Sequence, residues 1–301
     1  MGKIIHSISG GKTSAYLAAH YPADEIIFSL VCVDNGEIQY SDDHLRQQVN
    51  DKLNQTHTLH HGEFIGTPED PGIIKTVFDL EQHIGKEIKW VRGIGYDRLI
   101  IQRKALPNKF WRFCTTEMKL DPIFRWCFMN CDLGLIPIKP GKGKSRTNYM
   151  CINPVKMGIG YRWDEAERAD RLDNDFEITM RNLLTKNRTN KRSTFFKWRI
   201  PYTPLLTDEI GYFEVNHWAR SVPIEFVPDS NCLNCFYKPE QQLLHNLTQY
   251  PDIKQWAIGE EQRRGKTFKT ESSLIEIMQL EPDPEFILGG GSGCQSGMCT
   301  D

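Results

Sequence analysis

Ile4-Ile5-His6-Ser7-Ile8-Ser9-Gly10-Gly11-Lys12-Thr13-Ser14-Ala15-Tyr16-Leu17 runs from an apolar strand through a turn of small residues into a helix. The strand is predicted over Ile4 to Ile8, the turn at Ser9, Gly10 and Gly11, and the helix from Lys12 to about His20. Two adjacent glycines let the backbone approach an anion with no Cβ in the way, and the first N–H groups of the helix point at the same place. Lys12 adds a charge, and Ser9, Thr13 and Ser14 add hydroxyls. The stretch is therefore predicted to cradle phosphate.

A Walker A loop is excluded by spacing. With Gly11-Lys12-Thr13 in place its first glycine belongs at position 6, which is His6. Ser9-Gly10-Gly11-Lys12-Thr13-Ser14 instead resembles the PP-loop, usually S-G-G-K-D-S, of the ATP pyrophosphatase and phosphoadenylylsulfate (PAPS) reductase superfamily, with Thr13 where that family usually has Asp.

Further along, Ile26 to Val33 is a β-rich run of the kind buried on both faces of a parallel sheet, ending in Asp34-Asn35-Gly36-Glu37. An acid at the carboxyl end of a second strand is where a nucleotide-binding α/β fold meets a ribose or a metal. The segment resembles the family's D-T-G-x-E. Helices are predicted from Ser41 to Asn54, capped by Ser41 or Asp42, from Ile73 to His83 and from Tyr96 to Lys104, and a third strand at Thr56 to Leu59. This alternation predicts a Rossmann-like, doubly wound α/β sheet.

Leu106-Pro107 through Pro122 carries Arg112, Cys114, Thr115, Lys119 and Pro122 at the spacing of the family's l-P-x-x-x-R-x-C-T-x-x-L-K-x-x-P, where the basic residues face the nucleotide. Cys127 and Cys131, four apart beside Phe124, Trp126 and Phe128, read as core. Lys139 to Arg146 reads as a solvated basic loop. A strand over Val155 to Tyr161 leads into Gly158-Ile159-Gly160-Tyr161-Arg162-Trp163-Asp164-Glu165, which resembles the family's G-I-R-x-D-E and offers Arg162 to the ligand. Arg181 to Arg199 holds seven cations and no acid, with Phe195, Phe196 and Trp198 at its end. Such a mixture suits a single-stranded nucleic-acid groove, and equally Phe195 and Trp198 suit the edge of a strand at Trp198 to Tyr202. Pro204 then opens a helix predicted to run through Trp218.

The 301 residues are 39% hydrophobic and 11% aromatic, enough for one large core with a smaller attached unit. A net charge of −2 excludes a globally basic nucleic-acid binder. No apolar run spans a bilayer, no export signal is read, and His6 breaks the pattern for myristoylation of Gly2, so a cytoplasmic protein is expected. In that setting nine cysteines point to thiol chemistry or metal. Cys232-Leu233-Asn234-Cys235 and Cys294-x4-Cys299, the latter on a glycine-rich tail, form two pairs of soft ligands for zinc or an iron–sulfur cluster. Asn231 to Lys238 resembles the cysteine segment of phage and bacterial PAPS reductase-like proteins and of the DNA phosphorothioation enzyme of this superfamily. That resemblance implies a [4Fe-4S] cluster. The E-C-G-x-H nucleophile of assimilatory reductases is absent.

Taken together, residues 1–228 are expected to form the PP-loop domain, with a basic insertion around 139–199, and residues 229–301 a cysteine-rich unit. The resemblance implies ATP with Mg²⁺ as cofactor, attack at its α-phosphorus with release of pyrophosphate, and an adenylated substrate open to displacement by sulfur. Lys12, Arg112 and Lys119 are the expected catalytic cations, and Ser9, Gly10, Gly11, Lys12, Thr13, Ser14, Asp34 and Arg162 the expected nucleotide contacts. Expected partners are nucleic acid, a sulfur-donor protein and a second copy of the chain. Two other readings stand beside this one: a thiol-dependent PAPS reductase using Cys294 or Cys299, and a non-catalytic module binding nucleotide and nucleic acid.

Overall fold

The computed structural model describes residues 2–56, 62–138, 148–170, 180–181, 193–194 and 197–286. Five parallel strands make the central sheet: β1 (Ile4–Ile8), β2 (Glu25–Leu30), β3 (Ile88–Arg92), β6 (Val155–Gly158) and β9 (Arg199–Tyr202), in the order β3-β2-β1-β6-β9. Between them lie α1 (Lys12–His20), α2 (Asp43–Gln55), α3 (Gly72–Ile84), α4 (Tyr96–Arg103), a π-helical turn at Thr115–Leu120, α5 (Asp121–Asn130) and the antiparallel pair β4 (Leu135–Ile138) and β5 (Asn148–Cys151). The chain continues through α6 (Ala166–Asp170), the short pair β7 (Met180–Arg181) and β8 (Ser193–Thr194), α7 (Pro204–Thr207), α8 (Tyr212–Ser221), α9 (Glu240–Gln249), α10 (Pro251–Arg264) and α11 (Leu274–Ile277).

Strand alternation divides the sheet's side chains between two cores. Ile5, Ile27, Val91, Val155 and Met157 pack with Ile123, Phe124 and Trp126 of α5 on one face. Ile8, Ile26, Phe28, Ile88 and Trp90 pack on the other with Ala15 of α1, Val49 of α2 and Ile73, Ile74, Val77 and Leu80 of α3. The α3 set falls at intervals of one, three and three residues, the stripe a helix needs to lie on a sheet.

Helices on both faces of a parallel sheet are the expected α/β class, and three local expectations are corrected. The strand beside β2 is Ile88–Arg92; Thr56 instead closes α2, its hydroxyl donating to Leu53 O and Trp90 O, and residues 57–59 of the expected strand lie outside the described residues. Strand β2 stops at Leu30 because Val31 N–H turns to Glu69 Oε2, at 3.4 Å, and Val33 N–H to Gly66 O. The helix expected from Pro204 to Trp218 is two, separated where Glu209 adopts φ +56 and Gly211 opens α8 with its N–H donating to Glu214 Oε2.

From Leu233 to Ile277 the chain shares a third core with Val31, Tyr96, Leu99, Phe113 and Met118, so α9 to α11 cover the carboxyl end of β2 and the segment after it. Trp256 packs against Tyr96 with ring centroids 5.2 Å apart. No helix among the described residues is long and apolar enough to cross a membrane.

His6 is fully buried on β1, and a Cβ on Gly158 of β6 would lie 2.2 Å from its ring, so the ring occupies the space a side chain at 158 would take. Burial, then the charge of Lys86, lowers its pKa from 6.5 to about 4. Between those values the unfolded chain takes up a proton that the folded chain refuses. Stability is thus fully present above 6.5 and is lost as pH falls toward 4. His6→Leu removes this group from the balance. Urea denaturation is expected to show the variant losing about 2 kcal/mol less stability than the parent between about pH 7 and about pH 4.5; equal losses would mean His6 is not the buried proton acceptor.

Candidate functional site

In the sheet order, β1 has β2 on one side and β6 on the other, with their helical connections leaving in different directions. In open α/β sheets the crevice at the carboxyl ends of such a pair is where ligands sit. Both sequence-predicted loops that follow these strands meet there. Ser9-Gly10-Gly11 leads from β1 into α1, and Gly158 to Arg162 leaves β6.

The turn is built by glycine and serine. Gly10 has φ +80, and a Cβ there would lie 2.8 Å from Ile73 Cγ2, so backbone and packing both demand glycine. Gly11 caps α1 in extended conformation. Ser14 is buried and serves the loop itself: its hydroxyl accepts from Ser9 N–H at 3.2 Å and donates to Gly11 O at 3.0 Å. The Ser9 and Ser14 hydroxyl oxygens are 3.3 Å apart.

Around this turn three cationic or polar groups converge. Lys12 Nζ donates to Asn216 Oδ1 of α8 at 3.1 Å. Arg162 Nη1 donates to Thr13 Oγ1 at 3.2 Å, and its guanidinium lies over Tyr212 of α8 at 5.6 Å. Arg162 also faces Asp164 at 3.2 Å and Glu165 at 3.4 Å, which hold it from the side away from Thr13. Gly160 lies close against the start of α1, where a Cβ would be 3.1 Å from Ser14 and Thr13 backbone atoms. Tyr212 and Asn216 were not legible as site residues, because α8 is distant in sequence and carries no motif.

Asp34, Arg112 and Lys119 stand in a second group, over the carboxyl ends of β2 and β3. Asp34 is buried and pairs with Arg92 Nη2 at 2.5 Å and with Arg98 Nε at 3.4 Å, while its N–H donates to Asp97 Oδ1 at 2.9 Å. Lys119 pairs with buried Glu69 at 2.9 Å. Arg112 lies over Tyr237 at 5.8 Å with Nη1 buried and without a hydrogen-bond partner among the described residues. Thr115 to Leu120 is π-helical, a distortion that recurs at functional sites.

Cys232 and Cys235 follow this group, and Cys114 joins them: Cys114 and Cys232 both pack against the core that holds Tyr96, Leu233 and Phe236. Burial pushes the Cys232 thiol well up, and Lys119 opposes that shift. Soft thiol donors suit zinc or an iron–sulfur cluster, but no three His, Cys, Asp or Glu side chains among the described residues close on one metal position. Cys294 and Cys299 lie outside the described residues. For Mg²⁺, Asp34, Asp164 and Glu165 are each engaged by an arginine.

At the end of the basic run the structure takes the strand-edge alternative for Trp198. Trp198 is fully buried against Phe124, ring centroids 4.9 Å apart, and Arg199 is buried on β9, so neither offers a surface to a base. Most of Arg181 to Arg199, and all of Lys139 to Arg146 apart from its sequence, lie outside the described residues. Cys127 is buried in the α5 core as expected.

The chain is thus an α/β protein with a five-stranded parallel sheet, compatible with a Rossmann-like fold, and a glycine turn at its switch point. No protein-family model, no curated protein and no solved structure matches it.

Gly10→Ala is expected to lower stability by about 1–3 kcal/mol, from positive φ and contact with Ile73 together. Urea denaturation checks this; an unchanged midpoint would show that the turn relaxes freely.

Proposed function

We propose that the chain is a PP-loop enzyme of the PAPS reductase kind that binds ATP, adenylates an acceptor with release of pyrophosphate, and serves sulfur transfer or nucleic-acid modification. The observation that carries this reading is the glycine turn at the β1/β6 switch point with Lys12 and Arg162 on either side of it. Free N–H groups at the start of a nine-residue helix and two fixed cations suit the β- and γ-phosphates.

An acceptor oxygen attacks the α-phosphorus and forms a new P–O bond. The bond from that phosphorus to the bridging oxygen of the β-phosphate breaks, and pyrophosphate leaves with its electron pair. Charge builds on the leaving group, so Lys12, Arg162 and the loop N–H groups act by electrostatic stabilisation, with no protein nucleophile. Thr13 presents a hydroxyl where the family usually has a carboxylate, and Arg162 is hydrogen-bonded to it instead. With the neighbouring carboxylates engaged, Mg²⁺ would arrive on the phosphates of ATP and keep most of its water. Cys232 and Cys235, with Cys114 or the tail cysteines, would hold a zinc ion or an iron–sulfur cluster, which supplies structural closure or sulfur and electron chemistry when bound.

Lys12→Ala should weaken ATP binding and slow pyrophosphate release by about 10- to 100-fold, the worth of one charge-assisted hydrogen bond to phosphate. Arg162→Ala should act in the same direction. A coupled pyrophosphate assay on folded variants reads this. Release unaffected by both changes would remove the turn from the reaction.

A further inference from the structure

Beyond the carboxyl ends of β2 and β3 a cavity of about 750 Å³ opens, within the size range of small-molecule sites. Its wall holds Arg98, Arg103, Arg112 and Arg125 together with Phe110 and Trp111. The acids in the wall, Glu117 and Asp121, are taken up by Arg103 and by Arg125, the latter at 2.5 Å. Four cations against two acids leave a net charge of +2. Arg112 keeps a buried N–H with no hydrogen-bond partner among the described residues, and Arg98, paired with Asp34 through Nε, is half-exposed. At the rim Phe110 is 80% and Trp111 48% exposed, large apolar rings that the described residues leave uncovered.

A positive recess with aromatic faces at its mouth matches the repeating unit of a single-stranded nucleic acid, in which each phosphate comes with a flat base. Guanidinium groups suit phosphate oxygens, and indole and phenyl faces stack any base. The cavity is lined by residues between Ile94 and Arg125 and shares none with the glycine turn after β1, which makes it a site apart from that turn. We infer that this cavity binds one nucleotide of a single-stranded nucleic acid, its base on Trp111 and its phosphate between Arg98 and Arg112. The inference deepens the reading of the chain as an adenylating enzyme by naming the class of its acceptor, and it rests on that reading only for the word acceptor.

Fluorescence anisotropy of labelled mixed-sequence 12-mers, one deoxy and one ribo, tests it on the full chain, with polyphosphate as competitor and equilibrium binding of labelled ATP measured on the same samples. The expected result is oligonucleotide binding that Trp111→Ala and Phe110→Ala each weaken about tenfold, the scale of one base stack. Arg98→Gln should lower the slope of log affinity against log salt by about 0.7, the loss of one phosphate contact on a single strand. A preference between the two oligomers names the sugar. ATP binding should be the same in Trp111→Ala as in the parent. The inference is overturned if no oligonucleotide binds, if the aromatic variants bind as the parent does, if polyphosphate competes as well as an oligonucleotide of equal charge, or if ATP displaces the oligomer one for one. Oligonucleotide binding without ATP binding would sink the adenylating reading and leave this site standing.

Discussion

Gly10 sits at φ +80 with Ile73 of α3 against its α-carbon, and the direction of α1 follows from that single residue. Any side chain there would push the turn off α3, whose buried stripe also anchors one face of the sheet. The same residue thus links the packing of β1, α1 and α3 to the place where backbone N–H groups are offered to an anion. Ser14 completes the link by spending its hydroxyl on Ser9 and Gly11, which leaves the outer face of the turn to Lys12 and Thr13. The Ser9 N–H, the two serine hydroxyls and Gly11 O satisfy one another, which fixes the turn before any ligand arrives while leaving the first N–H groups of α1 to the crevice.

Charge around this core is arranged in pairs with unequal surroundings. Asp34 and Arg92 form a fully buried pair, which orders the carboxyl ends of β2 and β3 and costs desolvation on both sides. Lys119 and Glu69 do the same one layer further out. Arg162 and Lys12 are held more lightly, by a hydroxyl, a side-chain amide and partly exposed acids, so an entering polyanion would meet cations that need little rearrangement.

How much of this could be read in the sequence depends on range. The turn, α1 and the arrival of Arg162 are local patterns of glycine, apolar residues and capping, and they stand where the pattern puts them. Strand β3 was not legible because Ile88-Lys89-Trp90-Val91-Arg92 carries a buried arginine whose justification, Asp34, lies 58 residues away. For Trp198 the sequence leaves nucleic-acid contact and strand-edge packing both open, because charge surrounds it in sequence, and in space it packs against Phe124. Tyr212 and Asn216 reach the crevice only through the packing of α8 on α1, which no local signal carries. Likewise the cavity of Arg98, Arg112 and Trp111 is assembled from two helices and the loop between them.

The most direct test of the account is a calorimetric titration of anaerobically purified protein with ATP and, separately, with PAPS, each with Mg²⁺. The account predicts binding of ATP at one site per chain and none of PAPS at the same concentrations. Binding of PAPS alone would move the chemistry to reduction by a thiol, and binding of neither would contradict the claim that the glycine turn between β1 and α1 is a nucleotide cradle.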